Sequence, residues 1–217
     1  MDKTQFKKAL DELKKNAEKR KFKQSIDLVI NLKDLDVKKT DNHFDLFIAL
    51  PHATGKKVKV CALTGAELTA QAKNECDFTI NNEEFKNYQG NKKAIKKLAD
   101  SYDFFVAQAN VMPEVAKTFG GVLGPKRKMP NPKAGCVAPP NANLNLLMEK
   151  LQKTVRVSLK SELSIKVKIG NQEFTDDQLS ENAILVYNSI VQRLPSEKNN
   201  IKNILLKYTM SKPVKVQ

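Results

Sequence analysis

Apolar residues recur along this chain with two different periods, and the period changes at definite places. An amphipathic helix is predicted over residues 4–19 by the helical spacing of Phe6, Leu10, Leu13 and Ala17. Residues 22–33 carry apolar side chains at five of the six even positions and mostly polar ones at odd positions, which predicts a strand with one buried face. Residues 43–50 repeat this alternation after a polar turn. The first 50 residues therefore predict a helix followed by an antiparallel pair of strands.

The middle of the chain has another pattern, in which short apolar runs alternate with helical stretches. Strands are predicted at residues 57–63, 77–80 and 103–108, and helices at 64–75, 91–102 and 111–119. The first of these helices opens at Thr64 or Gly65, and the last has Pro113 in its first turn, where proline is well tolerated. This alternation is typical of βαβ units and a small parallel sheet.

The pattern of the first segment returns near the C-terminal end. A helix over 141–153, capped by Asn141, leads into strictly alternating strands at 154–160 and 163–170. A long helix over 175–194 follows, with Thr175 at its N-cap and two aspartates in its first turn, and 203–210 is a last strand.

Because the two ends share one pattern and the middle has another, we predict a split outer domain with an insertion. The outer domain is α+β and comprises residues 1–54 and 155–217. The inserted domain, residues 55–154, is α/β, Rossmann-like and three-layered. Two tandem domains are also compatible with the pattern.

Charge narrows the choice of partners. The chain carries 38 Lys and Arg against 24 Asp and Glu, a formal net charge of +14. Such an excess attracts polyanions, so nucleic acid or an anionic membrane surface is the first partner to consider. No apolar window is long enough to span a bilayer, and the N-terminus has no apolar signal region, which favours the cytoplasm. Charge is densest over 115–161, where nine cations face only Glu149.

The sequence offers little for catalysis or metal binding. The glycines of residues 118–126 and 64–69 do not match a nucleotide-binding fingerprint, and no Ser–His–Asp set is evident. Cys61, Cys76 and Cys136 lack the clustered spacing of a zinc site, so we expect three reduced, partly buried thiols. A nucleotide-dependent enzyme that uses the Rossmann-like domain is the alternative function. We expect no cofactor and no metal.

One loop, GPKRKMPNPKAG from Gly124 to Gly135, combines rigidity with charge. It has three prolines, two glycines and four cations, and it has no acid. Proline fixes its own φ and donates no N–H, so this segment does not form a regular helix or a central strand. It is either a shaped surface for phosphates or a stiff loop that braces its domain.

Three stretches resemble the L-one family of large-subunit ribosomal proteins, in its archaeal branch. They are LGPKRKMPNPKAGCV at 123–137, RKFKQSIDLVINLKDLD near the start and YTMSKPVKV at the end, in the family's order. The resemblance covers essentially the whole chain. It implies a split outer domain, an inserted Rossmann-like domain and no enzymatic activity.

The family's partners imply those of this chain. They are a helical junction of large-subunit ribosomal RNA at the mobile stalk, the departing transfer RNA in the E site, and the protein's own messenger RNA, which family members repress. We expect a cytoplasmic, ribosome-bound protein with no membrane contact, and a monomer when it is off the ribosome.

The resemblance also implies which residues bind RNA. Carried over by motif, they are Phe22, Ser25, Lys166, Lys168, Thr209, Met210 and Ser211. Secondary RNA contacts are expected at Lys126, Arg127, Lys128 and Lys133 of the proline-rich loop. All the primary residues lie outside the inserted segment. Phe22 has an alternative role, because it begins an apolar stripe and could be a plain core residue.

Ser211 stands where the family pattern has glycine. If the site needs the positive φ that glycine allows, Ser211→Gly should tighten RNA binding or leave it equal, which is the outcome we expect. If the serine hydroxyl makes a contact of its own, the same change should weaken binding.

Overall fold

The computed structural model describes residues 2–18, 20–39, 42–160 and 162–216. In chain order the helices and strands are α1 Lys3–Lys15, β1 Ser25–Leu32, β2 Phe44–Ala49, β3 Val60–Thr64, α2 Ala66–Glu75, β4 Phe78–Asn81, α3 Phe85–Tyr88, α4 Lys92–Ser101, β5 Phe104–Gln108, α5 Met112–Leu123, β6 Val137–Ala138, α6 Leu144–Lys153, β7 Thr154–Leu159, β8 Ser164–Asn171, α7 Asp176–Val191, β9 Ile201–Tyr208 and β10 Val214–Lys215.

The chain divides into two compact units. Unit 1 comprises Met1–Lys56 and Lys153–Gln217, and unit 2 comprises Lys57–Gln152. The mixed α and β content is as predicted. The predicted boundaries at residues 54 and 154 stay a prediction about which segments fold independently.

Unit 1 is built on a four-stranded antiparallel sheet with the strand order β10-β9-β1-β8, beside a two-stranded sheet of β2 and β7. β1 pairs with β8 and β9, and β2 pairs with β7. The prediction that β1 and β2 form an antiparallel pair is therefore wrong. Alternation identifies the buried face of a strand, but it does not identify the strand's neighbour, which depends on contacts between distant segments.

One face of the four-stranded sheet is covered by helices. The even-numbered residues of β1 are buried, and they share a core with Phe6 and Leu10 of α1 and Ala183 and Val186 of α7. The odd-numbered residues Asp27, Val29 and Asn31 point to the opposite face and are only half-buried. This second face is called the polar sheet face below.

Unit 2 contains the predicted parallel sheet. Its strand order is β4-β3-β5-β6, and each neighbouring pair is parallel. All five residues of β3 are buried, as expected for a strand covered on both faces. Phe85 and Phe119 meet edge to face in the core, with ring centroids 5.3 Å apart.

Several element ends differ from the prediction. α1 ends at Lys15 rather than at residue 19, and β9 ends at Tyr208, so Thr209 and Met210 lie in a turn. The cap of α6 is Asn143, whose Oδ1 accepts from the N–H of Asn145 at 3.1 Å, and not Asn141. By contrast, Thr175 caps α7 as predicted, in a reciprocal pair with Gln178.

Within the described ranges, no helix is long and apolar enough to cross a bilayer.

Candidate nucleic-acid interface

Ser25 and Thr209, two of the residues expected to bind RNA through unit 1, meet at one end of the four-stranded sheet. The N–H of Ser25 donates to Thr209 Oγ1 at 3.2 Å, and the N–H of Thr209 donates to the carbonyl of Ser25 at 3.2 Å. This exchange ties the start of β1 to the turn that follows β9. Two segments 184 residues apart in sequence thus form one surface.

A buried amide, Gln24, fixes this surface from beneath. Its side chain accepts from the N–H of Met210 at 3.1 Å, and its own N–H donates to Gln172 Oε1 at 3.2 Å. The N–H of Gln172 in turn donates to the carbonyl of Gln24 at 3.2 Å. Gln24 is only 1% exposed, so its polar groups need these partners. It therefore links the ends of β8 and β9 to the start of β1.

Two large apolar side chains stand out from this end of unit 1. Phe22 is 51% exposed and Met210 is 61% exposed. The alternative role of Phe22 as a plain core residue is therefore wrong: β1 begins only at Ser25, so the apolar stripe of the sheet does not reach Phe22. Exposed apolar groups of this size on a cationic protein suit packing against sugars and bases.

The expected cations lie on the polar sheet face. Asp27 is the cross-strand neighbour of Lys168 on one side and of Lys207 on the other. Lys166 lies opposite Val29 and is exposed, with its ammonium 3.4 Å from the exposed carboxylate of Glu162. Strand pairing thus places lysines from two strands in a row across the sheet.

Burial and charge shift the pKa values in this row in opposite senses. Burial raises the pKa of Asp27, although Lys168 and Lys207 pull it back down. Burial lowers the pKa of Lys168, Asp27 opposes that change, and Lys56 adds to it. Burial thus disfavours the charged forms of both Asp27 and Lys168 on this part of the polar sheet face.

Ser211 does not have the backbone conformation that glycine would favour. Among the described residues other than glycine, positive φ occurs at Asp34, Arg127 and Glu197. Instead, the Ser211 hydroxyl accepts from the N–H of Tyr208 at 3.0 Å and donates to the carbonyl of Lys212 at 3.0 Å. The free chain therefore does not use the positive φ on which the expected gain from Ser211→Gly rested, because the serine hydroxyl holds the turn; the effect of the change on RNA binding stays a prediction.

The proline-rich loop of unit 2 is anchored by two of its own cations. The ammonium of Lys128 donates to the carbonyls of Ala99 and Tyr102, each at 2.7 Å, at the end of α4. Lys126 forms an ion pair with Asp100, and the hydrogen bond from Lys126 lowers the pKa of that carboxyl. These two lysines support the bracing role of the loop. The RNA contacts of all four loop cations stay a prediction, and Arg127 and Lys133 are the exposed ones.

Left-handed backbone sharpens the turns of this loop. Arg127 has φ 55° and Gly135 has φ 76°. Asn131 accepts from the N–H of Lys133 through its side chain at 2.9 Å and from the N–H of Cys136 through its carbonyl at 3.1 Å. The loop is therefore ordered by its own hydrogen bonds as well as by its prolines.

Two residues of the candidate interface were missed in the sequence. Lys207 is polar within an apolar strand, and only the strand pairing places it across Asp27 from Lys168. Gln24 had a signal: it occupies an even, buried-face position in the alternation of 22–33, where a polar residue needs a partner.

The site that a nucleotide would need in unit 2 is already occupied by protein groups. The N–H of Gly65, at the start of α2, donates to the buried Gln108 Oε1 at 2.9 Å. Gln108 Nε2 donates to Glu67 Oε2 at 2.9 Å, so an acid stands in the first turn of α2. This arrangement is opposite to a phosphate-binding turn, where the N–H groups face an anion.

The thiols and histidines have structural surroundings. All three cysteines are free, and Cys61 and Cys136 are buried. Burial raises the pKa of both Cys76 and Cys136 to about 11, so these thiols stay protonated and unreactive at neutral pH. His52 Nε2 lies 3.0 Å from Glu181 Oε2. Within the described part of the chain, no group of three potential metal ligands is present.

Comparison with known proteins gives a consistent result. A sequence profile of the ribosomal protein L1p/L10e family matches residues 13–212. Similar proteins include the large ribosomal subunit protein uL1 of Methanothermococcus thermolithotrophicus, which is 37% identical over 217 residues and 100% of both chains. The protein of that name from Methanobrevibacter smithii is 38% identical over 209 residues, 96% of each chain. That from Nanoarchaeum equitans is 41% identical over 214 residues, 96% of this chain and 99% of its own.

These matches confirm the resemblance drawn from the three sequence motifs, including its archaeal character. A family of ribosomal proteins is not a family of enzymes, so the alternative of a nucleotide-dependent enzyme is wrong.

Proposed function

Because the chain belongs to the ribosomal protein L1p/L10e family, we propose that it binds large-subunit ribosomal RNA through unit 1. The RNA-binding surface comprises the polar sheet face and the adjoining end of the sheet, where β1 begins and β9 ends. The protein works as a structural constituent of the large subunit in the cytoplasmic ribosome.

The observation that carries this proposal is the linkage of the two ends of the chain. Ser25 and Thr209 exchange hydrogen bonds, and the buried side chain of Gln24 accepts from the N–H of Met210, so the exposed Met210 stands on a backbone that is held in place. A preorganised surface loses less entropy when it docks. Shape-specific recognition of a folded RNA needs such a surface, whereas attraction of phosphates by charge does not.

Two kinds of contact follow from the side chains. Lys166 and Lys168 have long cationic side chains that can contact phosphates, and such contacts stabilise complexes with all RNAs to a similar extent. Thr209 offers a hydroxyl that suits a ribose 2′-OH, and Met210 offers a flexible thioether that suits a sugar or base edge. We therefore attribute the specificity for RNA to the uncharged side chains Thr209 and Met210 at the end of the sheet. The lysines of the polar sheet face provide affinity that does not depend on the RNA sequence.

The same surface serves the protein's own messenger RNA if that RNA folds into a similar junction, and repression of translation follows from such binding. Contact with the departing transfer RNA is assigned to unit 2, whose proline-rich loop presents Arg127 and Lys133 at the surface. The free protein is proposed to be a monomer, which its mass in light scattering checks.

A competition assay tests the proposal. The full chain is bound to labelled stalk-junction RNA at about 0.15 M salt, where contacts that depend on charge alone are weakened. Unlabelled junction RNA and a plain RNA duplex of equal length then compete. We expect the junction to compete at least about a thousandfold better, the lower end of the usual range for specific binding. Equal competition would identify a general coating protein, for which the net charge of +14 suffices.

A further inference from the structure

The helix α4 of unit 2 carries a row of lysines that the proposed function leaves unused. Lys92, Lys93, Lys96 and Lys97 are all exposed, whereas Ile95, Leu98 and Ala99 on its other side are buried. No acid occurs in the sequence between Glu84 and Asp100. The solvent side of α4, called the basic face below, therefore presents four cations, and the one acid of the helix, Asp100, pairs with Lys126 and interacts more weakly with Lys96.

This arrangement opposes the stability of the helix. Lysines in the first turn face the positive end of the helix dipole, and α4 has no acid there and no base in its last turn. Lys92 with Lys96, and Lys93 with Lys97, are also like charges four residues apart, which repel each other. Among the described residues, none of the ion pairs involves these four lysines. Selection for folding alone would favour the reverse order of charges, so the basic face indicates an anionic partner.

The proline-rich loop provides positive charge to the C-terminal end of the same helix. Lys128 satisfies carbonyls at the C-terminal end of α4, and Lys126 neutralises Asp100. The loop thus supplies the cations that α4 lacks at its C-terminus. The lysines of the helix itself are left facing outward.

We propose that the basic face of α4 is a second RNA-binding surface, which holds the phosphate backbone of a folded RNA by charge. Its two lysine pairs are each separated by four residues, or about 6 Å along the helix axis. Lysine is a strongly hydrated point charge on a flexible stem, which suits a line of phosphates. The face contains no aromatic residue or arginine, the residues that dominate protein–protein hot spots, so RNA fits it better than an acidic protein does.

This inference rests on the proposed function only in taking RNA as the partner. It concerns residues of unit 2 that lie outside both the polar sheet face and the proline-rich loop. The two ideas therefore fail in different experiments.

The test compares two variants of the full chain with the same net charge. One is Lys92→Gln/Lys93→Gln/Lys96→Gln/Lys97→Gln, which neutralises the basic face. The control is Lys59→Gln/Lys73→Gln/Lys86→Gln/Lys117→Gln, which removes four exposed lysines of unit 2 from four different segments. The probes are a labelled folded transfer RNA and labelled junction RNA. Transfer RNA is measured with unlabelled junction RNA in excess, so that unit 1 is occupied.

We expect the α4 variant to lose at least about tenfold in affinity for one of the two RNAs. Its salt slope, the steepness with which the logarithm of the affinity falls with the logarithm of the salt concentration, should decrease by about two to four, near one per lost phosphate contact. A loss confined to transfer RNA identifies that source, and a loss confined to the junction identifies ribosomal RNA. The control should lose less than about threefold. The Tm of the α4 variant should equal or exceed that of the wild type, because the removed charges oppose the helix.

Equal losses in the two variants would overturn the inference, since net charge would then explain the binding. Unchanged affinity for both RNAs would overturn it as well. Loss of binding to poly-glutamate, with RNA binding intact, would assign the face to an acidic protein instead. If the wild-type chain fails to prefer the junction over a duplex, the proposed function fails, whereas the comparison of the two variants still decides the role of α4.

Discussion

At the scale of single residues, the proposed interface contains some side chains that hold its backbone in shape and others that are expected to attract RNA. Gln24 shapes it, since its buried amide holds the backbone of Met210 and pairs with Gln172. Replacing Gln24 with alanine leaves these groups unpaired and should cost about 1–3 kcal/mol of unfolding free energy. Affinity for the junction should fall while the salt slope stays constant, because no cation is lost. Urea unfolding and salt-dependent binding measure both, and Gln89→Ala, on an exposed residue of unit 2, should change neither.

Substitution of the lysines that are expected to attract RNA should, unlike substitution of Gln24, change the salt slope. Lys166→Ala and Lys168→Ala should each weaken binding to junction and duplex alike, and each should reduce the salt slope by about one. The double change Thr209→Ala/Met210→Ala should cost about 1–3 kcal/mol for the junction alone, with the slope unchanged. Titrations at several salt concentrations separate the two cases. Wild-type affinity in the double variant would exclude this end of the sheet from the interface.

The substitution Ser211→Gly tests whether the serine hydroxyl is needed to hold the turn after β9. Its hydroxyl bridges the N–H of Tyr208 and the carbonyl of Lys212, and its φ is not positive. Ser211→Gly should therefore weaken junction binding by loosening the turn that carries Met210. Tighter binding would mean that the RNA complex needs a backbone that serine resists.

At the scale of elements, α4 depends on a lysine from another segment. Lys128 donates to two carbonyls at its C-terminal end, and hydrogen bonds from a charged group are among the stronger ones. Lys128→Ala should lower the unfolding free energy by about 1–3 kcal/mol, whereas Lys133→Ala, on an exposed lysine of the same loop, should have little effect. Denaturant unfolding of both variants tests this. Similar stabilities would mean that the loop does not brace the helix.

The packing of α1 on α7 makes the stability of unit 1 depend on pH. Asp177 accepts from Lys3 at 2.9 Å and Lys7 at 2.8 Å, and these bonds lower its pKa to about 2. A carboxyl with a lowered folded pKa stabilises the protein above its unfolded pKa, near 3.9, and loses that contribution as the pH falls towards 2. Asp177→Asn should therefore lower the Tm at pH 7, and the difference should shrink between about pH 4 and pH 2. A Tm difference that is constant with pH would contradict this.

At the scale of the whole molecule, the residues of unit 1 that are proposed to bind RNA come from two distant parts of the chain. The N–H of Leu50 donates to the carbonyl of Lys153 at 2.9 Å, so the two segments of unit 1 meet where unit 2 is inserted. A chain that joins residues 1–56 to 153–217 through a short Gly-Ser bridge should fold. It should bind the junction within about tenfold of the full chain, or about 1.4 kcal/mol. Circular dichroism and titration measure this, and a folded product that binds several hundredfold more weakly would show that unit 2 contributes to the specific site.

Local patterns were sufficient for the type and approximate place of most elements. The period-two alternation of β1 and β8, the cap at Thr175 and the βαβ rhythm of unit 2 all correspond to the structure. They could be predicted because the geometry of the backbone sets these periods and caps within a few residues. The motifs of the chain, together with its charge, were also sufficient to indicate a ribosomal protein.

Contacts between distant segments determined the strand partners and the roles of individual side chains. The partners of β1, the role of Gln24, the row that Lys168 forms with Lys207 and the use of Lys128 as a helix cap all join segments that are distant in sequence. A lysine has the same local pattern whether its ammonium meets solvent, a phosphate or a helix carbonyl. Which of these it meets depends on how the sheets and helices pack, because hydrogen bonds need their partners within about 3 Å.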